Sequence, residues 1–139
     1  MRKYAITVAR CRRFLKRYER KLDRLINGLA ILPTGETYPI AERLIALVEQ
    51  KCRLVQIAEA DRLMTADLTA EENDALTICV CGEGSRRAAR RLGVRREDIM
   101  RPARRALDKC CKTLAGLDFT CEGFISEFYG EMVKTFSNA

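Results

Sequence analysis

Arginine and lysine are concentrated between residues 85 and 109, where ten cationic side chains stand beside three acidic ones. A guanidinium group can donate two parallel hydrogen bonds to the major-groove edge of guanine, and it also neutralises phosphate. A segment of this composition therefore carries side chains suited to binding a nucleic acid. Such binding also needs rigid elements that hold these side chains at fixed positions.

Two short helices joined by a turn at Gly93 are predicted to provide that scaffold. Ser85 is placed to cap the first helix, and the second is expected to end near Leu114. The inner face of the first helix is predicted to comprise Ala88, Ala89 and Leu92. Gly93 stands where a helix C-cap favours a positive φ. A helix, a tight turn and a second helix form the scaffold that places one helix in the major groove of DNA.

Two long helices are predicted to precede this segment. The first, from about Lys3 to Leu29, has apolar residues at heptad spacing: Cys11, Leu15, Tyr18, Leu22, Leu25 and Leu29. A loop with two prolines and a glycine, residues 31–39, separates it from the second, which runs from about Ile40 to Met64. The predicted inner face of the second comprises Leu44, Ile45, Val48, Cys52, Val55 and Ala58. We expect an antiparallel hairpin of these helices, although homodimerisation would also bury the heptad repeat.

Two further helices are predicted, one on each side of the arginine-rich segment. Thr69 and Glu72 have the spacing of a capping box and would begin a helix that ends near Cys81, although Asp67 could also cap it. The inward residues of that helix would be Ala75, Leu76, Ile78 and Cys79. The last helix, over residues 121–136, places an aromatic stripe on one side that we expect to cover the core: Phe124, Phe128, Met132 and Phe136.

The composition favours an all-α protein. Trp is absent, and no long run of alternating β-branched residues suggests a sheet. No apolar stretch approaches the roughly 20 residues that span a bilayer, and the first residues do not resemble a signal peptide, so we expect no membrane partner and a cytoplasmic protein. The predicted units are a helical hairpin over residues 1–66, a helix-turn-helix over residues 67–116 and a C-terminal helix over residues 117–139.

The formal net charge of +7 is unevenly distributed. Residues 1–26 carry ten cations and two acids, and residues 27–84 carry four cations and ten acids. These two blocks could neutralise each other if their helices pack side by side. The basic block at residues 85–109 is followed by few acids, and we therefore expect it to face a polyanion, with a solvated face as the alternative.

The seven cysteines and the absence of histidine bear on metal binding and catalysis. Cys79 with Cys81 and Cys110 with Cys111 are closely spaced, but neither pair has the two-to-four-residue spacing of a zinc knuckle. Cysteine is often a small buried apolar residue, and we predict that role here, with no metal and no cofactor. A thiolate metal sensor is a third hypothesis. The acids are scattered along helix faces, so we expect no catalytic site and no enzymatic activity.

The middle of the chain carries a recognisable pattern of residues. It begins with Leu-Thr-Ala-Glu-Glu at Leu68, continues with Ala-Ala-Arg-Arg-Leu-Gly-Val at residues 88–94 and Arg96-Glu97, and ends with Ile99 and Arg-Ala-Leu-Asp-Lys at residues 105–109. This pattern resembles region 4 of sigma-70-type RNA polymerase sigma factors, which reads the −35 promoter element through a helix-turn-helix. The order of a basic helix, an acidic helix and a lone region-4-like unit is similar to small transcription regulators of phages and integrated elements, of the ArpU and RinA type.

The resemblance implies roles for particular residues. Arg96 and Glu97 match residues that contact base edges in sigma region 4, and Arg101 matches a further base-contacting position. Arginine suits guanine, and glutamate can accept a hydrogen bond from cytosine. The remaining arginines are better suited to phosphate contacts: Arg86, Arg87, Arg95, Arg104 and Arg105. Duplex DNA is the implied partner, and RNA polymerase would be a second one.

Pro102 departs from the family pattern, which has an apolar helix-forming residue at this position. A proline inside a helix removes a hydrogen bond and costs roughly 3 kcal/mol. The second helix would therefore either bend near residues 98–101 or begin late, with Pro102 in its first turn. A late start would leave Arg96 and Glu97 in a loop.

These observations predict a sequence-specific double-stranded DNA-binding transcriptional regulator. The alternative is a helical protein-protein interaction module that does not bind DNA, in which the hairpin or the last helix holds a partner and the basic helices provide solubility.

Overall fold

The computed structural model describes residues 2–30, 37–117 and 121–137. Within these ranges the chain forms seven α-helices and no strand, which confirms the all-α prediction. The helices are α1 (Arg2–Cys11), α2 (Leu15–Ala30), α3 (Thr37–Thr65), α4 (Ala70–Val80), α5 (Ser85–Leu92), α6 (Arg96–Ala115) and α7 (Ile125–Ser137). A short 3-10 turn, Cys121–Gly123, precedes α7. None of the described helices is both long and apolar enough to cross a membrane.

The first predicted helix is divided into α1 and α2, so the prediction of one helix from Lys3 to Leu29 is wrong. Between them, the amides of Arg12, Arg13 and Phe14 bond to carbonyls three residues earlier, which tightens the chain into a turn. The turn directs the Arg12 side chain between α3 and α4. The break contains no glycine or proline. We infer that it is stabilised by the contacts that Arg12 makes with residues distant in sequence.

Arg12 is the centre of a partly buried hydrogen-bond network. Its Nε donates to both carboxylate oxygens of Asp61, at 2.9 and 3.0 Å. One of its terminal nitrogens donates to Asn73 and Thr77, at 3.1 and 2.9 Å. Burial raises the pKa of Asp61, and the Arg12 charge opposes that shift. The network joins the turn between α1 and α2 to α3 and α4.

Helices α2 and α3 run in opposite directions. Lys51 of α3 pairs with Asp23 of α2, and Asp61, further along α3, pairs with Arg12, which precedes α2. Tyr18 and Leu22 on the apolar side of α2 are buried, and the Tyr18 ring packs edge-on against Phe128 and Phe136 of α7. Leu25, at the far end of the heptad repeat, is partly exposed.

The inner face of α3 differs from the predicted one. The buried residues of this helix are Leu54, Ile57, Ala60 and Met64. The predicted inner residues Ile45, Val48 and Val55 are instead 58%, 44% and 54% exposed, and Cys52 is also exposed. Leu44 and Ala58 are half-buried. Helix α3 therefore carries two apolar stripes. The stripe that packs against the rest of the chain is not the one that the sequence predicted to be buried.

Two hydrophobic clusters stabilise the fold. The large core joins α1, α2, α3, α4, α6 and α7 and contains bulky side chains such as Leu54, Phe128 and Met132. Phe128 and Met132 of α7 are buried there, and Phe136 stacks on Phe14 at 5.8 Å, which confirms that the aromatic stripe of the last helix covers the core. The alanine cluster, between α4, α5 and α6, consists of Ala75, Ala88, Ala89, Ile99 and Ala103.

Candidate nucleic-acid interface

Helix α4 begins with the predicted capping box. The Glu72 amide donates to the Thr69 hydroxyl at 3.1 Å, and the Thr69 amide donates to the Glu72 carboxylate at 2.9 Å. Ala75 and Leu76 of this helix are buried, and Ile78 and Cys79 are half-buried. The helix ends at Val80, close to the predicted end.

Glu72 also fastens α4 to α6. Its side chain is only 3% exposed, and its carboxylate accepts a hydrogen bond from Lys109 Nζ at 2.7 Å and lies 3.7 Å from Arg105 Nε. The hydrogen bond from Lys109, supported by the one from the Thr69 backbone, lowers the pKa of Glu72 to about 2. The carboxylate is therefore ionised at neutral pH. It fixes the C-terminal half of α6 against the start of α4.

Glycines flank α5 at both ends. Gly93 adopts the left-handed conformation, with φ 69° and ψ 30°, and its amide and that of Val94 bond to the Ala89 carbonyl, as predicted for the C-cap. The N-cap is Gly84, so the prediction that Ser85 caps this helix is wrong. The Ser85 hydroxyl instead accepts a hydrogen bond from Arg96 Nε at 2.9 Å. This contact ties α5 to the first residue of α6.

The predicted inner face of α5 is correct for two of its three residues. Ala88 and Ala89 are buried, and their small side chains let α5 approach α6 closely. Leu92 is 51% exposed, because it lies in the last turn, where the chain reverses at Gly93 and no helix covers it.

Helix α6 begins at Arg96 and continues through Pro102. Arg96 and Glu97 therefore lie in its first turn, and the alternative of a late start at Pro102 is wrong. The missing amide of Pro102 leaves the Asp98 carbonyl without its usual helical donor. At the helix start, the Asp98 carboxylate accepts a hydrogen bond from the Arg95 amide at 3.1 Å. A negative charge in this first turn also stabilises the helix dipole.

One side of α6 is buried and the other is in solvent. The buried side comprises Ile99, Pro102, Ala103, Ala106, Cys110 and Leu114. The exposed side of its N-terminal half, termed the outer face of α6, comprises Arg96, Glu97, Arg101 and Arg104. Glu97 accepts a hydrogen bond from Arg104 at 2.6 Å, whereas Arg101 has no ion pair among the described residues. The outer face thus presents guanidinium groups around one oriented carboxylate.

The predicted phosphate-contacting arginines have different surroundings. Arg86 and Arg87 on α5 are exposed and form no ion pair within the described ranges, and Arg95 pairs loosely with Asp98 at 3.6 Å. Arg105 leans towards the buried Glu72 and contributes to the anchor between α4 and α6. Arg90 was not predicted, yet it is exposed and lacks an ion pair in the described part of the chain. Its position four residues after Arg86 was the signal that could have identified it, because such residues share a helix face.

The basic block of residues 1–26 is not neutralised by the acidic block that follows it, as the sequence had suggested it could be. Only Arg12 with Asp61 joins a cation of residues 1–26 to an acid of residues 27–84 among the described residues. Lys16, Arg20 and Arg24 lie at four-residue spacing on the exposed face of α2 and form no ion pair in the ranges described. The chain therefore has two exposed cationic helical surfaces, one on α2 and one on α5 and α6.

The cysteines do not form a metal centre within the described residues, where no group of three or more cysteines and carboxylates could hold an ion. All seven thiols lie in these ranges and none is in a disulfide. Burial raises the pKa of Cys11 to about 12 and that of Cys110 to about 11, so both remain protonated at neutral pH. Cys110 donates to the Met64 carbonyl at 3.3 Å. These thiols act as small packing residues.

The chain matches no family model, no curated protein and no solved structure. Its function is therefore inferred from the geometry of the described helices and from the residues quoted for the sigma-factor resemblance.

Proposed function

We propose that the protein binds duplex DNA in a sequence-specific manner and regulates transcription. The observation that supports this proposal is the outer face of α6: its arginines and Glu97 are in solvent at the start of a helix whose opposite side is packed on α4 and α5. A recognition helix of a helix-turn-helix protein contacts base edges with its N-terminal residues. Helix α6 has suitable side chains in that part.

The dimensions of α6 suit the major groove. The groove is about 12 Å wide and admits an α-helix. Arg96 and Arg101 are five residues apart, which is roughly 7.5 Å along the helix axis at a rise of about 1.5 Å per residue. Five residues also turn by about 140° at roughly 100° per residue, so the two guanidinium groups flank the helix face that carries Glu97 and would reach bases on either side of it. Glu97 would accept a hydrogen bond from cytosine while Arg104 holds its carboxylate in place.

Phosphate contacts would come from α5 and the turn. Arg86, Arg87 and Arg90 are exposed and need not break an ion pair to meet a phosphate, and Arg95 gives up only a weak one. Neutralising one phosphate changes the slope of the logarithm of affinity against the logarithm of salt concentration by about 0.9. Several such contacts would make binding strongly salt-dependent.

The resemblance to sigma region 4 extends the proposal to the biological target. Promoters of phage or integrated-element genes would be the DNA, and RNA polymerase would be a further partner. A second candidate function, a protein-protein interaction module without DNA binding, is favoured by a separate observation, the exposed apolar residues of α3.

The proposal is tested by selection of binding sites from a random duplex library with the purified full-length chain. Fluorescence anisotropy then compares the wild type with two double variants that each lose two exposed positive charges. Arg96→Ala with Arg101→Ala removes side chains from the outer face of α6, and Arg20→Ala with Arg24→Ala removes them from α2. We expect the α6 variant to lose at least about tenfold in affinity for the selected site, since a bidentate arginine-guanine pair contributes about 1–3 kcal/mol of discrimination.

The α2 variant serves as the control for charge alone. We expect it to retain the preference for the selected site over a scrambled duplex, whereas the α6 variant loses that preference. If selection yields no enriched sequence at moderate salt, or if both variants lose affinity equally, sequence-specific recognition through α6 is wrong. A chain that binds no duplex at all would support the interaction-module alternative.

A further inference from the structure

Helix α3 carries an apolar stripe that no other part of the described chain covers. The stripe comprises Ile45, Val48, Cys52 and Val55, and it is termed the exposed stripe of α3. Its members are three, four and three residues apart, which is the spacing of the a and d positions of a coiled coil. Each branched side chain in it is about half exposed.

The stripe is a continuous surface and not a set of isolated residues. Val48, Cys52 and Val55, with the side chains of Lys51 and Gln56, line one shallow groove whose surface is almost entirely apolar. The opposite side of α3 is already occupied, because Leu54 and Ile57 are fully buried in the large core. The largest contiguous apolar patch on a monomer is often functional, which makes this surface a candidate contact site.

We propose that the exposed stripe of α3 binds the same stripe of a second copy of this chain, with the two helices parallel about a two-fold axis. The heptad spacing favours this occupant because an a/d stripe is complementary to another helix with the same repeat. Two apolar stripes on one 29-residue helix would then have two separate roles. One is packed inside the protomer, and the other is packed against the partner.

The charges beside the stripe favour the parallel arrangement. At 100° per residue, Glu42 and Glu49 lie along one edge of the stripe, with Arg53 beyond them. Lys51 lies along the other edge, where it pairs with Asp23 of its own chain. An antiparallel two-fold pair would place each acidic edge against its own copy, and like charges in such positions are destabilising. A parallel pair places Glu49 of one copy opposite the edge that carries Lys51 of the other. Glu42 and Glu49 have no ion pair among the described residues, so both are free to meet that edge.

The ends of the stripe limit the size of the interface. Ala41 occupies the preceding heptad position, and Glu59 and Arg62, which pair with each other, occupy the two that follow Val55. From Ile45 to Val55 the stripe is roughly 15 Å long at about 1.5 Å per residue. This is short for an obligate interface, and we expect a dimer that dissociates on dilution. The proposal does not depend on DNA binding, and its test contains no DNA.

Sedimentation velocity over about a hundredfold range of protein concentration tests the proposal. We expect the wild type to shift from monomer to dimer as concentration rises. Val48→Glu with Val55→Glu should remain monomeric throughout the same range, with unchanged helical content and urea midpoint. The matched control introduces the same charges at two other exposed apolar residues, Leu92→Glu with Val94→Glu, and should dimerise as the wild type does. A wild type that stays monomeric, or a stripe variant that dimerises normally, would overturn the proposal.

Cross-linking provides a second readout that needs no destabilising substitution. In a parallel pair the two copies of Cys52 are neighbours, and the other six thiols are buried or half-buried. Oxidation by copper phenanthroline and oxygen would remove two protons and two electrons from the paired thiols and form one disulfide. We expect a covalent dimer that Cys52→Ser abolishes and that Ile45→Cys in the Cys52→Ser background restores. If the restored dimer instead requires Ile45→Cys together with Val55→Cys, the helices are antiparallel and the stated arrangement is wrong.

Discussion

The large core and the alanine cluster stabilise adjoining parts of this protein in different ways. The large core contains leucine, isoleucine, methionine and aromatic side chains, and each of these buries enough apolar surface to contribute about 1.5–3 kcal/mol. The alanine cluster contains four alanines and Ile99. Its members bury little surface, but they allow α5 and α6 to lie close together.

The difference indicates what holds the arginine-bearing helices in position. Around the alanine cluster, local chemistry supplies stability that apolar burial does not: the capping box at Thr69, the left-handed Gly93 and the anchor formed by Glu72 with Lys109. Substitutions in the large core should therefore destabilise the whole chain. Substitutions near the alanine cluster should destabilise α4, α5 and α6 in particular. Four predictions test this contrast.

The largest effect is expected in the large core. Leu54 is 1% exposed, and Leu54→Ala should lower the free energy of unfolding by about 2–5 kcal/mol, because it removes buried methyl groups and leaves a cavity. Urea denaturation measures this change. The same substitution at the exposed Leu92 is the control and should change stability by no more than about 0.5 kcal/mol. Equal losses at the two positions would contradict the assigned burial.

A smaller effect is expected from overfilling the alanine cluster. Ala88 has no exposed surface, and Ala88→Leu should destabilise the protein by about 1–3 kcal/mol because α5 and α6 would be forced apart. Hydrogen exchange should show faster exchange of α5 amides, with α2 and α3 still protected. Ala46→Leu, at an exposed position near the start of α3, should leave both measurements unchanged. Uniform loss of protection would mean that the two clusters unfold as one unit.

The turn between α5 and α6 should show a still smaller effect. Gly93 has a φ of +69° and open space around the position of a Cβ atom, so Gly93→Ala should cost about 1 kcal/mol through backbone strain alone. Gly28 lies inside α2 and also has open space around it. Gly28→Ala should therefore change stability in the opposite direction, by up to about 1 kcal/mol. Thermal unfolding of both variants measures the contrast, and a shared sign would refute it.

The fourth expected effect is on the dependence of melting temperature on pH. The folded-state pKa of Glu72 is about 2, below its ordinary value of 4.5. A lowered pKa contributes stability that is fully present above pH 4.5 and is lost as the pH falls towards 2. We expect Glu72→Gln to flatten the curve of melting temperature against pH in this window. Glu71→Gln removes an equal charge from an exposed position in the same turn, and Glu71 forms no ion pair with Lys109, so its curve should keep the wild-type slope.

The sequence predicted best those features that local chemistry determines. The capping box of α4, the left-handed Gly93 and the C-terminal end of α6 follow from residues close to each other in the chain, and all three are present. The start of α5 was misassigned by one residue, because Gly84 leaves no side chain to signal a cap. Arg96, Glu97 and Arg101, which the resemblance assigns to base contacts, are all exposed on α6.

Features that depend on distant residues could not be predicted in the same way. The break between α1 and α2 exists because Arg12 bonds to Asp61, Asn73 and Thr77, none of which is near it in sequence. On α3, periodicity identified one apolar stripe but could not decide which of two would be covered by α2 and α6. The position of Arg105 beside Glu72 likewise requires knowledge of how α4 packs on α6.

The Arg12 network has a consequence for how far apart two DNA-contacting helices could be held. One guanidinium group braces α3 against α4, and α4 is in turn fixed to α6 through Glu72. In a dimer assembled through α3, these contacts would hold each outer face of α6 at a fixed distance from the two-fold axis. Such an assembly would tolerate little variation in the number of base pairs between its two half-sites.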